Sequence, residues 1–351
     1  TDNFNTFINN KVKDYNSNLT LKLDDVFIKL NITQASLNIN TENAILLYDN
    51  NSLRILNLDI NLNALKFIKK ENSIKNIKIE TSENSIKDIT SLLNLIDYNL
   101  SRFIFYSQIK NGLIKFKLDT DFNLIEEKIN SYTISGNIKD AKFNLVGNGS
   151  FDNINFNFKS KDKLTKISNL NFKYQDLNLL SKSIEIKNEE TGEYFINGDI
   201  ENDKALINPN VIFKLVNIKQ DFLSKVDIPL KSKNVFSFNL KKYKLKNLKI
   251  DSVINFDEAY FSNEIQNYIF LKEGTINSRY ENNQFNADLV SNFAFSDNLK
   301  LNNDYKNNNI EINLIAKKNQ NITVNGNIRN KKTFVDPKIF LNLIKLDPNL
   351  L

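Results

Sequence analysis

Four residue types are missing from this chain of 351 residues: cysteine, histidine, methionine and tryptophan. Without cysteine there is no disulfide, no thiolate nucleophile and no cysteine-based metal site. Without histidine the chain lacks the usual general base near neutral pH and the commonest metal ligand. Ser–His–Asp catalysis and zinc-dependent hydrolysis are therefore excluded. We expect no enzyme here, and neither a metal nor a cofactor.

The lack of methionine also bears on where the chain comes from. A complete reading frame starts with Met, whereas this sequence starts at Thr1, so we expect an excised segment or a processed product. Any signal or membrane anchor would then lie upstream. No stretch approaches 18 uninterrupted apolar residues, so we expect no membrane-spanning helix within the segment. The net charge, 47 − 41 = +6, is modest and argues against a nucleic-acid partner.

What the chain does contain is apolar residues that alternate with polar ones. Successive side chains of a strand point to opposite faces, so each such segment has one apolar face and one polar face. Parallel sheets covered by helices would give continuous apolar runs instead. The alternation therefore predicts many antiparallel strands. The clearest segments are 56–62, 114–118, 154–158, 236–240, 285–289 and 310–316.

Helical signals are few and short. Ser85 to Asp88 resembles a capping box, and apolar residues follow at helical spacing through Leu100. An amphipathic helix is also predicted for residues 4–15, and another after Asp336-Pro337. Glu281-Asn282-Asn283 is predicted to form a turn between two strands, because Asn tolerates the left-handed conformation. No Pro- or Ser-rich linker occurs; a soft boundary near residue 101 would separate 1–100 from 101–351, within one continuous elongated domain.

Three of the only 8 glycines stand in a repeated phrase. It reads ISGNIKD at 134–140, INGDIEN at 196–202 and VNGNIRN at 324–330. Glycine inside a strand marks a bulge, a bend or the close approach of another backbone. We therefore predict that Gly136, Gly198 and Gly326 are bend points at equivalent places along the sheet. The alternative, chance recurrence in a biased composition, stays open.

The order of these elements resembles a known family. Strand segments LTLKLDD, ASLNIN and LRILNLDINL follow the N-terminal helical segment, and ALKFIKKENS leads to IKNIKIETSENSIKDITSLL. This order is similar to the N-terminal region of the AsmA-like envelope proteins of Gram-negative bacteria. KNGLIKFKLDTDF, TISGNIKDAKFNLVGNGSFDNINFNF and ISNLNFKYQDLNLLSKSIEI resemble the body of its YhdP-type branch. The resemblance spans most of residues 1–340 and includes no catalytic signature.

The resemblance implies a bridge-like lipid transporter with an inner-membrane anchor and a long periplasmic body. Its fold would be mainly β: a long curled antiparallel sheet, forming a half-pipe or groove, with a few short helices at crossovers. Phospholipid would slide along the apolar inner face between membranes. On this interpretation the lipid-binding residues are Ile114, Phe116, Leu118, Phe143, Leu145, Ile154, Phe156 and Phe158.

Alternation alone leaves a second class of protein open. A one-faced sheet either stays open for an apolar ligand or packs on a second sheet to close a core. The closed form would suit a structural or adhesive β-rich surface protein. An aromatic platform for single-stranded nucleic acid is less favoured, because the Phe residues stand among Ile and Leu.

Charged motifs add one weaker hypothesis. In KKYKLKNLK, residues 241–249, Lys242, Lys244 and Lys246 share one face of a predicted strand. One interpretation is contact with lipid headgroups or an anionic membrane surface; a solvated strand exterior is the favoured alternative. The acidic pairs at 24–25, 126–127 and 189–190 point to opposite faces of a strand and form no dyad. Gly147-Asn148-Gly149 lacks the Lys-Ser/Thr of a phosphate loop.

Overall fold

The strands of this chain build a single open sheet. The structure, a computed structural model, describes residues 5–6, 9–10, 12–13, 16–49, 51–69, 71, 73–96, 108–126, 128–145, 149–174, 177–189, 192–207, 228–241, 244–260, 269–295, 305–317 and 323–330. Its strands belong to one antiparallel sheet of 18 strands that is not closed, with few helices. The prediction of a mainly β chain built on one long antiparallel sheet is therefore confirmed.

Backbone contacts divide the chain into two compact units. The first contains Thr1–Asp176 and Ser181–Tyr194, and the second contains Leu177–Leu180 and Phe195–Leu351. The predicted soft boundary near residue 101 falls in 97–107, outside the described residues, and stays a prediction. The predicted helix after Asp336-Pro337 also lies outside them.

Where the structure describes it, the first unit contains ten strands, most of strand β11, helical residues near the N-terminus and two further helices. Among its first fifteen residues, the described ones are helical, as predicted, and Asn9 Oδ1 accepts a hydrogen bond from the Leu21 amide at 3.1 Å. The elements are β1 Leu19–Lys22, β2 Val26–Asn31, β3 Ser36–Tyr48, β4 Asn51–Asn63, α1 Ala64–Ile68, β5 Ile74–Thr81, β6 Asn84–Ser85, α2 Ile86–Ile96, β7 Ile109–Asn123, β8 Lys128–Leu145, β9 Gly149–Lys161, β10 Leu164–Tyr174 and β11 Leu177–Asn188.

Pairing in the first unit follows chain order with two exceptions. β1 and β2 both pair with β3, at opposite ends of that strand, and β5 and β6 both pair with β7. The other described pairs are antiparallel neighbours: β3 with β4, β4 with β5, β7 with β8, β8 with β9 and β9 with β10. Sequence-adjacent antiparallel pairs need only short turns, which suits a chain with so little glycine and proline.

Asparagine and aspartate make those turns. Asn282 and Asn283 alone connect two strands, with φ of 53° and 60°, as a type I′ hairpin requires. The turn predicted there is confirmed. Asp49 and Asp162 also take left-handed φ values, 49° and 50°, in the turns after β3 and β9. Asn and Asp reach this conformation at low cost because their short polar side chains bond the local backbone.

A band of bulges crosses four consecutive strands of the first unit. Gly112, Asp140, Asn153 and Asn169 have positive φ inside β7, β8, β9 and β10. Register shifts occur at each of these places. Asn155 links the bulges of β8 and β9. Its Oδ1 accepts a hydrogen bond from the Asp140 amide at 3.0 Å, and its Nδ2 donates to the Asn153 carbonyl at 2.8 Å. Each bulge adds an unpaired residue and bends its strand.

Helix α2 covers the apolar face beyond this band, at a place called here the α2 end. The helix forms where the capping box predicted it, and Ser85 Oγ accepts a hydrogen bond from the Lys87 amide at 3.2 Å. A Cβ on Gly112 would lie 2.7 Å from Ile86 Cδ1, so glycine lets the helix approach the sheet. The side chains buried at this end are Ala44, Ile55, Ile86, Leu92 and Ala141.

The second unit continues with strands in hairpin order. β13 to β18 pair successively, each antiparallel to the next. One short 3-10 helix contacts β16 and β17. The elements are β12 Glu193–Ile207, β13 Ile228–Lys241, β14 Lys244–Tyr260, β15 Ile269–Glu281, β16 Gln284–Phe295, the 3-10 helix Tyr305–Asn307, β17 Asn308–Lys317 and β18 Thr323–Asn330.

The second unit buries one compact cluster, which we call the closed cluster. Its members come from six strands and are nearly inaccessible to water. Phe256 packs over Gly274, where a Cβ would lie 2.0 Å from the phenyl ring, so only glycine fits beneath it. The members are Ile207, Ile228, Leu230, Phe256, Ala259, Leu271, Phe293, Phe295 and Ile310.

Candidate functional site: a half-buried apolar sheet face

The predicted lipid-binding residues of β7 and β9 lie on one face of the sheet. Phe116 pairs with Gly136, and Gly136 pairs with Phe158, so these three positions form a row across β7, β8 and β9. In the next row Ile114 pairs with Ile138, which pairs with Phe156. All of these positions are half-buried. The structure therefore brings together side chains that are far apart in sequence.

Of the remaining predicted residues, Leu118 lies farther from the bulges, and the others lie beside or beyond them. Leu118 shares the face and pairs with Ile134. Ile154 pairs with Ala141 beside the α2 end, and Phe143 pairs with Phe151 beyond the bulges. Leu145 ends β8, and its side chain is outside the described part of the chain. Binding of lipid by these eight residues stays a prediction.

The same face continues over strands for which the sequence predicted no site. Leu58 pairs with Ile79 and Ile79 with Leu118, which extends one apolar row from β4 to β7. Ile60 and Ile77 pair in the adjacent row. Each of these side chains is half-buried. Alternation marked them as strand residues, but only the register of the pairing shows that they line one continuous surface.

The opposite face of the first unit is polar and ion-paired. Lys117 Nζ lies 2.8 Å from a Glu80 carboxylate oxygen, and this hydrogen bond lowers the pKa of Glu80 although partial burial opposes the shift. Asn76 donates to Asp119 at 2.7 Å and lowers its pKa, with Lys78 adding to the effect. Charged carboxylates at neutral pH keep this face in water. The sheet therefore has one wet side and one apolar side.

The second unit repeats this one-sided character. Ile254, Ile276, Leu289 and Ile312 pair in a single row across β14, β15, β16 and β17, and they pack against the closed cluster. The other face carries ion pairs such as Arg279 with Glu281 and Asp251. The apolar face is half-buried along this row and nearly inaccessible only in the cluster.

Two of the three repeated glycines do not coincide with bulges. Gly136 and Gly326 have no positive φ and stand where the register of pairing is regular. A Cβ on Gly136 would lie 2.1 Å from the Lys115 carbonyl oxygen, so this glycine permits close approach of β7. Gly198 lies in β12 and is half-buried. That these three glycines bend their strands stays a prediction, whereas Gly112 and Gly274 do lie at register shifts.

The structure describes two of the three lysines of the predicted basic strip. Lys244 and Lys246 are exposed in β14, opposite Lys241 and Asn239, and Lys242 lies outside the described residues. Leu245 stands between them and pairs with Leu240, so the two lysines point to the face opposite these leucines. Contact of this strip with headgroups stays a prediction.

The described residues contain no group of three acidic side chains placed to hold a metal ion, and no helix among them is long and apolar enough to cross a membrane. The acidic pairs of the sequence are surface charge where the structure describes them: Asp24 and Asp25 are exposed, and Glu126 pairs with Lys128 at 2.5 Å.

Comparisons with family models, curated proteins and solved structures find no match to this chain. The resemblance to the AsmA-like family therefore stays a prediction. The feature that bears on function is the difference between the two faces of the sheet.

Proposed function

We propose that this chain binds phospholipid along the apolar face of its sheet and lets it move along that face between membranes. The binding is non-covalent: acyl chains lie against the apolar rows, and headgroups stay in water. The resemblance to AsmA-like proteins adds the location, the periplasm of a Gram-negative bacterium, with an anchor in the inner membrane.

One observation carries the proposal: the apolar face is continuous but only half-buried. From β4 to β9 its rows remain partly accessible, and the described helices cover only the α2 end and a small area near α1. Soluble monomers rarely expose contiguous apolar surfaces larger than a few hundred Å2 without using them for binding. A sheet with one apolar face of this kind and a polar opposite face favours a ligand that is itself long and apolar.

The energetics suit an acyl chain. Burying one methylene group is worth about 0.8 kcal/mol, so a chain of ordinary length gains several kcal/mol even from partial contact. The contact is non-directional, because it needs no hydrogen bond in register with the sheet. A ligand held in this way can slide from row to row without a large barrier.

The alternative, a structural or adhesive protein with a closed sandwich core, needs a second layer over this face. The described strands belong to one sheet and supply no second sheet to cover the rows of β4 to β9. The closed cluster of the second unit is the observation that favours the alternative, because there the apolar face is buried by the chain itself.

A single pair of variants separates the two functions. Phe156→Asp places a carboxylate on the apolar face, and the matched control Asn157→Asp places one on the exposed polar face of the same strand. Transfer of fluorescent phosphatidylethanolamine between two vesicle populations is measured, together with the melting temperature. We expect Phe156→Asp to abolish most of the transfer while melting within a few degrees of the control.

The closed-core alternative predicts a different result. In a sealed core the carboxylate would be buried without a partner, and the protein would lose several kcal/mol of stability or fail to fold. If the unmodified chain transfers no lipid at all, the proposed function is wrong, whatever the variants do.

A further inference from the structure

Apolar side chains are exposed together at one end of the first unit. The three most exposed large apolar residues among those the structure describes are Ile125 at 91%, Ile32 at 84% and Ile68 at 76%. They belong to three different segments: the β7–β8 turn, the β2–β3 turn and helix α1. Single exposed apolar residues are ordinary, but three extremes in one place are not.

Hydrogen bonds fix these three segments beside one another. The Ala64 amide, at the start of α1, donates to the Ala35 carbonyl in the β2–β3 turn at 2.9 Å. Lys66 Nζ, on the same helix, donates to the Leu124 carbonyl in the β7–β8 turn at 2.7 Å. Helix α1 therefore joins the two turns. We call this surface, formed by Ile32, Leu65, Phe67, Ile68, Ile125 and Ile129, the α1 end.

The α1 end differs in shape and chemistry from the open rows of the sheet. Its apolar side chains stand on two turns, on a one-turn helix and, for Ile129, at the start of β8, so they lie at the rim of the sheet. Leu65, Phe67 and Ile129 are also exposed. Lys66, Lys69 and Lys128 lie on or next to the same segments, with Lys66 bonded to the Leu124 carbonyl and Lys128 paired with Glu126; the described carboxylates there are Glu71 and Glu126.

We propose that the α1 end docks on the surface of a phospholipid bilayer, with Ile32, Ile68 and Ile125 inserted below the headgroups. Separate aliphatic tips on neighbouring turns need a fluid partner that closes around each tip, whereas a folded protein would need a pocket for each. Lysines on the same segments as the apolar tips suit phosphate at the depth of the headgroups. The choice of a bilayer over a protein partner rests on the proposed function, which requires a source of lipid near the apolar face.

The test uses the full chain and vesicles of phosphatidylcholine and phosphatidylglycerol. A triple variant replaces Ile32, Ile68 and Ile125 by Ser. Its matched control replaces Val235, Val253 and Val290, which are about half exposed in the second unit, by Ser as well. In co-sedimentation we expect the α1-end variant to bind vesicles more than about tenfold less tightly, and the control to bind like the unmodified chain.

A second readout does not depend on the folding of the triple variant. The chain contains no tryptophan, so Ile125→Trp gives one fluorophore at the α1 end. Its emission is expected to shift to shorter wavelength when vesicles are added, because the indole enters the headgroup boundary. Equal vesicle binding by the two triple variants, or no shift at position 125, would overturn the docking proposal.

Failure of the docking proposal is distinguishable from failure of the proposed function. If the α1 end does not dock but the apolar face holds lipid, the purified chain still carries phospholipid and only the vesicle binding is missing. If the face is empty and the α1 end docks, the reverse is seen. Capture of a folded protein partner by the α1 end, with no vesicle binding, also contradicts this inference.

Discussion

Phe256 and Phe158 occupy similar strand positions in the two units but differ in how far their side chains are buried. Phe256 is 5% exposed in the closed cluster, whereas Phe158 is only half-buried on the open face. Both stand opposite a glycine, Gly274 and Gly136 respectively. The residue type, the alternation and the glycine partner are therefore not what buries a side chain on this sheet.

The difference comes from what surrounds the two positions. In β15, Glu273 takes a φ of 52° and the register against β16 shifts, which brings Leu271 into the cluster. Tyr305, on the 3-10 helix, donates to Glu273 at 3.0 Å and receives the Lys272 ammonium 5.2 Å from its ring centre. Around Phe158 the described residues form no comparable cluster of buried side chains. Burial follows from local irregularities of the chain.

The largest expected effect tests this comparison of Phe256 and Phe158 directly. Phe256→Ala removes a fully packed ring, and we expect a loss of about 3–5 kcal/mol in the free energy of unfolding. Phe158→Ala, on the open face, is expected to cost about 1–2 kcal/mol because its ring leaves water only in part. Urea unfolding of both variants measures the difference. Equal losses would mean that the open face is closed in solution.

The same contrast exists between the two ends of the first unit. Ile55 is buried at the α2 end and Leu65 is exposed at the α1 end. Ile55→Ala is expected to cost about 2–4 kcal/mol through lost packing and a cavity, and Leu65→Ala less than about 0.5 kcal/mol. Thermal melts of the two variants test this. A large loss from Leu65→Ala would show that the α1 end is covered by the chain itself.

Two repeated glycines give a smaller and sharper comparison. A Cβ on Gly136 would lie 2.1 Å from a backbone oxygen, whereas on Gly326 the nearest atom is at 3.1 Å. We expect Gly136→Ala to cost about 1–3 kcal/mol because β7 has to move away. Gly326→Ala should stay within about 1 kcal/mol of neutral, since the lost flexibility of the unfolded chain offsets the contact. Similar costs at both positions would contradict close approach as the reason for Gly136.

The smallest effect concerns the polar face. The pKa of Glu80 is lowered in the folded state by the hydrogen bond from Lys117, so its contribution is present above the unfolded pKa and is lost as pH falls through the folded value. Exposed pairs contribute at most about 1 kcal/mol. We expect the melting temperature of Glu80→Gln to lie slightly below that of the unmodified chain at pH 7. The gap should begin to narrow as pH falls below the unfolded pKa, about 4.3, and should close only below the lower folded pKa.

The sequence predicted the elements of this fold better than their arrangement. Alternation located the strands, Ser85 located α2, and Asn282-Asn283 located a hairpin, because each signal acts within a few residues. The bulges at Asp140, Asn153 and Asn169 were not predicted: in a chain rich in Asn, a left-handed Asn inside a strand cannot be told from an ordinary polar position.

The candidate site was predictable only in part for a related reason. Phe116 and Phe158 belong to clear alternating segments, and their place in one row follows from the pairing of β7, β8 and β9. Ile60, Ile77 and Ile79 belong to the same face, but nothing local links their strands to β7. Register between strands is set by contacts over the whole unit, which one sequence does not display.

The central claim is that acyl chains lie on the apolar face of the sheet and not on the opposite, polar face. The chain has no cysteine, so Phe158→Cys and Asn157→Cys each give a single labelling site, on opposite faces of β9. Each variant is labelled with a bimane fluorophore and mixed with phospholipid brominated on its acyl chains, which quenches only on contact. We predict strong quenching at position 158 and little at position 157. Equal quenching at both positions, or none at 158, would contradict the account.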